Sequence, residues 1–99
     1  MILETAQLTI KSSETTAFKA AMAEAKLIIS AMPGFIDLQV NPCIEIPNQY
    51  LLLGRWQILA DHTEGFRKSV HYQRWKALLH HFYEPFPEVF HYGEATIST

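Results

Sequence analysis

The run Tyr50, Leu51, Leu52, Leu53 limits what this chain can fold into more than any other feature. Residues 49–57 have the composition of a strand, and a strand sends successive side chains to opposite faces. A strand that is apolar on both sides must be covered on both sides. Helices can cover one face, and in a chain of only 99 residues a partner subunit is the economical cover for the other. Domains this short bury roughly 60–65% of their extended-chain surface, so their cores are thin. Composition points the same way. With 48% hydrophobic and 18% charged residues, the chain is more apolar than a fully solvated surface needs, which favours hiding surface against a second copy or an organic ligand.

The elements around that strand follow from periodicity. Residues 2–11 alternate as a strand, with Ala6, Leu8 and Ile10 opposite Thr5, Gln7 and Thr9. Ser12 and Ser13 offer N-cap oxygens and Glu14 a first-turn charge for a helix over 14–31, whose Phe18, Met22, Ala25, Ile29 and Met32 recur at helical spacing. Pro33 and Gly34 stop it. A second strand over 35–41 places Ile36, Leu38 and Val40 opposite Phe35, Asp37 and Gln39, and Pro42 and Pro47 bracket an irregular or edge segment. After the third strand, a short helix over 58–69 holds Leu59, His62 and Phe66 and breaks near Ser69. A clearer helix over 70–83 aligns His71, Trp75, Leu78 and Phe82. Pro85 ends it, and residues 88–94 form the last strand.

Strand, helix, strand, strand, helical pair, strand is the order of a single α+β domain spanning residues 1–99. It predicts a ferredoxin-like, four-stranded antiparallel sheet with its helices on one face. The bare outer face is then the natural homodimer surface, and two such sheets face to face would make a dimeric α+β barrel.

Several function classes are disfavoured. The net charge is −2 and no basic run exceeds Arg67-Lys68, so nucleic acid is not an expected partner. The single cysteine, Cys43, excludes an internal disulfide and a cysteine-cluster metal site. No apolar run approaches the ~18 residues of a membrane span, and the first residues lack a secretory pattern, so no membrane partner and a cytoplasmic location are expected. His62, His80, His81 and Glu84 form no metal motif and are expected at the surface or an interface. No glycine-rich phosphate loop occurs, since the four glycines are scattered.

Residues 50–92 carry a resemblance. A strand ending in Trp56, an acidic and histidine-bearing turn leading to Phe66-Arg67-Lys68-Ser69, an aromatic helix, the bracketed Phe86 and a final Val89-Phe90-His91-Tyr92 together resemble the antibiotic biosynthesis monooxygenase family. The resemblance implies a dimeric α+β barrel with a pocket between sheet and helices in each protomer. It also implies a cofactor-independent monooxygenase that oxidises an aromatic phenolic, anthrone or quinol-type substrate with molecular oxygen, with no cofactor and no metal. The family also contains haem-degrading enzymes, whose helical histidine, tryptophan at the helix break and first-strand asparagine are replaced here by Trp75 or Lys76, by Phe66, and by Thr5, Gln7 and Thr9. A non-catalytic dimeric small-molecule binding or structural protein is the alternative.

Under the resemblance, His71 and Tyr72 are the catalytic candidates. His71 stands four residues before Trp75, so the two share a helix face, and its ordinary pKa near 6.5 suits a general base. Trp75, Phe66, Trp56, Arg67, Phe18, Met22 and Phe82 are the expected pocket residues. Each also has a plain structural reading, as core packing for the aromatic side chains and as a solvated charge for Arg67.

Overall fold

The computed structural model describes residues 1–99 and has the element order β1 (Ile2–Thr9), α1 (Thr15–Ile29), β2 (Phe35–Pro42), β3 (Gln49–Trp56), α2 (Val70–Leu79) and β4 (Val89–Tyr92). A π-helical turn (Asp61–Phe66) precedes α2 and a 3-10 turn (His80–Phe82) follows it. The strands form one antiparallel sheet in the order β2-β3-β1-β4. Both helices pack on one face of it. Phe18, Met22, Ala25, Ile28 and Ile29 of α1 and Trp75 and Leu79 of α2 are buried there against Ala6, Leu8, Tyr50, Leu52 and Trp56.

The expected barrel is not there. β2 and β4 are the two edges of an open sheet, separated by β3 and β1, and at strand spacings of ~4.8 Å those edges stand about 14 Å apart.

Local chemistry moved three expectations. Ser13 sits at φ 69 and does not cap α1, so the cap position falls to Glu14, whose side chain makes no cap bond. At the other end Ala31 N–H bonds to Ile28 at 3.4 Å and Met32 N–H to Ile29 at 3.0 Å, which tightens the last turn and ends the regular helix at Ile29. In β2 a bulge between Phe35 and Asp37 exchanges the expected directions of Phe35 and Ile36, while Leu38 and Val40 keep theirs and pack on the core. Phe35 packs edge-on against Trp56 with ring centroids 5.3 Å apart, and Ile36 is exposed. Gly34 has φ 80, and the Asp61 carboxylate occupies the space a β-carbon would need.

The outer sheet face mixes Leu51, Phe90 and Tyr92, all exposed, with Thr5, Gln7 and an ion pair between the register partners Asp37 and Arg55. Hydrogen bonding to Arg55 holds the Asp37 carboxyl below its usual range.

Candidate active site

Glu4 is the one carboxylate on the helix-covered face of the sheet, and only 6% of it is exposed. Its register partners are Gly54 on β3 and His91 on β4, so the three form a row across the sheet. A β-carbon at position 54 would lie 3.0 Å from Glu4 Oε1, which explains a glycine there. Trp56 donates its indole N–H to Glu4 Oε1 at 3.0 Å. Above the row, His62 brings Nε2 within 3.5 Å of Glu4 Oε2 and Nδ1 within 2.8 Å of His91 Nε2.

The π-helical turn puts His62 in this place. His62 and Phe66, four residues apart, share its inward face. They stack on Trp56 at interplanar angles of 26° and 30°, with centroid distances of 5.3 and 5.9 Å. Ser69 then starts α2 by accepting the Tyr72 N–H at 3.2 Å, and the buried stripe of α2 runs through Trp75 and Leu79, with Tyr72 half-buried.

Burial sets the electrostatics. Desolvation raises the Glu4 pKa against the opposing pull of the Trp56 hydrogen bond and the Arg67 charge. His62 is pushed down to about 3, first by burial and then by Arg67 and His91, so it is neutral at ordinary pH. A neutral imidazole offers one donor and one acceptor. His62 therefore either accepts from His91 and points an N–H at Glu4 across 3.5 Å, or donates to His91 and presents a lone pair there. No buried side-chain nitrogen or oxygen in the molecule lacks a partner.

Glu4 and His62 border a cavity of about 60 Å³ between the sheet and α2. Phe66, Arg67, Tyr72 and Trp75 also line it, and His80, Tyr83, Phe86 and Pro87 complete its rim. Burial raises the Tyr72 and Tyr83 hydroxyls and lowers His80. The cavity thus combines a buried carboxylate, a neutral imidazole, phenols and a guanidinium with aromatic walls. Such a set can accept a proton from a flat organic molecule and stabilise the anion left behind.

Of the residues expected from sequence, Phe66, Arg67, Tyr72 and Trp75 come together at this cavity. Trp56 is fully buried and does not line it, but packs behind the lining residues Glu4, His62 and Phe66. Phe18 and Met22 border a different, open groove of about 350 Å³ between α1 and β2. Phe82 packs on Phe18 with centroids 5.9 Å apart, in the core away from the cavity. His71 is exposed and outside the cavity walls, because it lies about 100° around α2 from Tyr72, off the buried stripe. His62, expected at the surface, is 3% exposed. Glu4, His62 and His91 escaped the sequence reading. The available signal was parity, since Glu4 shares its strand face with Ala6 and Leu8, as Gly54 does with Leu52 and Trp56.

A family model described as antibiotic biosynthesis monooxygenase matches residues 1–78. The uncharacterized protein YczJ of Bacillus subtilis (strain 168) is 50% identical over 94 residues, covering 95% of this chain and 99% of that one. Among solved structures, a Bordetella bronchiseptica protein described under the same family name superposes with a TM-score of 0.90 at 26% identity, covering 95% of this chain and 96% of the other. SnoaB of Streptomyces nogalater, described as a cofactor-independent oxygenase, shares the fold at a TM-score of 0.83 and 11% identity, over 97% of this chain and 94% of its own. No helix is long and apolar enough to cross a membrane, and no group of three or more His, Cys, Asp or Glu is placed to hold a metal ion.

Proposed function

The chain belongs to the antibiotic biosynthesis monooxygenase family, and from that premise we propose that it is a cofactor-independent monooxygenase acting on an aromatic phenolic, anthrone or quinol-type substrate. The observation that carries this reading is the buried Glu4–His62 pair opening onto an aromatic cavity. Oxygenation without a cofactor requires the substrate to supply the electrons, so the protein must generate an electron-rich anion in a dry site. Glu4, its pKa raised by burial, is the base that removes the acidic proton. Tyr72 and Arg67 face the substrate oxygen on which the charge spreads, and Trp75 and Phe66 flank the ring. For an anthrone, the methylene carbon takes one oxygen atom to become a carbonyl and the other leaves as water, which balances CH₂ plus O₂ against C=O plus H₂O.

At about 60 Å³ the cavity is far smaller than the ~300–1,000 Å³ of ligand pockets, so a ring system enters only as Phe86 and Pro87 swing outward. Phe86, 61% exposed, has room to do so. The test is oxygen uptake by metal-stripped protein with anthrones and hydroquinones. Saturable uptake is expected, falling about a hundredfold or more in Glu4→Gln and little in His71→Ala. No protein-dependent uptake across the panel, or full activity in Glu4→Gln, would overturn the assignment and leave a binding or structural role.

The functional unit in this proposal is a homodimer joined across the outer sheet face, where Leu51, Phe90 and Tyr92 are exposed. Solution scattering at micromolar concentration is expected to give twice the chain mass, and a monomer would sink the claim.

A further inference from the structure

A base buried beneath its substrate needs a way to lose the proton it has taken, and the cavity mouth does not provide one once a ring fills it. On the far side of His62 from the cavity stands His91, which is on the edge strand β4 and partly open to solvent. Glu4 and His62 both line the cavity, whereas His91 does not. We infer that Glu4, His62 and His91 form a proton exit, in which His91 carries to solvent the proton that Glu4 removes from the substrate.

The geometry supplies each hop. Glu4 Oε2 lies 3.5 Å from His62 Nε2, and His62 Nδ1 lies 2.8 Å from His91 Nε2. The two imidazoles meet at ring centroids 5.0 Å apart and no bulkier side chain is needed between them. Protonated Glu4 gives its proton to His62 Nε2, the Nδ1–H of His62 passes to His91 Nε2, and the Nδ1–H of His91 goes to water. One proton enters and one leaves, and no charge remains on the buried rings. The water released by oxygenation needs that proton back, and the return of one from solvent along the same path, through His91 and His62 to Glu4, restores the starting tautomers. The charged and titratable groups around the path are Arg67, which acts on Glu4, His62 and His91 alike, and Tyr72 and Tyr83, which both feel Glu4. Arg67 disfavours a lingering positive charge on either histidine, which suits concerted passage over storage. His91 is a relay residue and touches no substrate.

The relay rests on the oxygenase reading for its purpose but not for its existence, and the two can be tested separately. In full-length protein with ¹⁵N-labelled histidine, solvent exchange of the His62 ring proton is expected to slow at least tenfold in His91→Phe. Unchanged exchange would overturn the relay whatever the enzyme does. In turnover, His91→Phe is expected to lower kcat at least tenfold in weak buffer with KM unchanged, and added imidazole should restore it. Unaltered kcat in His91→Phe, with Glu4→Gln inactive, would discard the relay and keep the oxygenase. Slowed exchange with no turnover on any substrate would keep the relay and discard the oxygenase.

Discussion

Trp56→Ala is expected to leave this protein largely unfolded at physiological temperature. Trp56 is fully buried, and it is packed by Phe35, His62 and Phe66 on its faces and edge. Truncating a core aromatic to alanine costs about 3–5 kcal/mol through lost burial and the cavity left behind. Here the loss is compounded, because the same indole N–H satisfies Glu4 Oε1 at 3.0 Å. A buried carboxylate stripped of a donor costs about 1–3 kcal/mol more. Small domains have only ~5–15 kcal/mol of stability to lose. Trp56→Phe keeps part of the aromatic packing and removes the donor together with the pyrrole ring, so its cost sets an upper bound on the donor's share. Urea unfolding should place it about 1–3 kcal/mol below wild type, and a midpoint equal to wild type would show that the indole does not hold Glu4.

The helix-covered core was legible because periodicity encodes it directly. Phe18, Met22, Ala25 and Ile29 recur at helical spacing and all four are buried. Ala6 and Leu8 alternate as a strand face should and are buried too. What escaped depends on single insertions and on pairing. One bulged residue turned Ile36 outward and Phe35 inward, and no local preference marks such a bulge. His62 escaped through pairing as well: four-residue spacing puts it on the face of the buried Phe66, but an imidazole there becomes plausible only once Glu4 and His91 are known to be its neighbours. Glu4 was the largest omission. Strand parity placed it inward, but a lone buried carboxylate becomes plausible only once Gly54, Trp56 and His91 are known to be its neighbours, and register across three strands supplies that. The expectation for His71 failed to reach the cavity for a simpler reason. Four-residue spacing puts two side chains near one another, but it does not say which side of the helix faces the sheet. The barrel was an inference from an uncovered face, and an apolar outer face demands cover without stating that strands must close.

Acid should destabilise this fold in two separated steps, and the shape of the curve follows from the buried pair. An unfolded-chain histidine takes up a proton near pH 6.5, whereas His62 in the fold resists until about pH 3. Between those values the unfolded state holds one more proton, so stability falls as pH falls, by about 1.4 kcal/mol per unit. His91 and His80, also lowered by burial, add to the same slope. Glu4 works in the opposite direction. Its folded pKa is raised above 4.5, so its contribution to stability is full below the unfolded value and is lost as pH rises through the folded one. Descending from neutrality, stability should therefore drop, level off where the folded Glu4 takes its proton before the unfolded chain does, and drop again below about pH 4.5. Glu4→Gln removes the level stretch, so the His62 loss runs unbroken and reaches about 4–5 kcal/mol by pH 3. His62→Phe removes that slope instead. Urea unfolding of the three proteins across this pH range gives the curves, and an acid profile in His62→Phe indistinguishable from wild type would mean that His62 is not held neutral in the core. The burial that raises Glu4 to a useful base thus carries its own cost in acid, because the imidazole beside it must stay uncharged for the pair to fit.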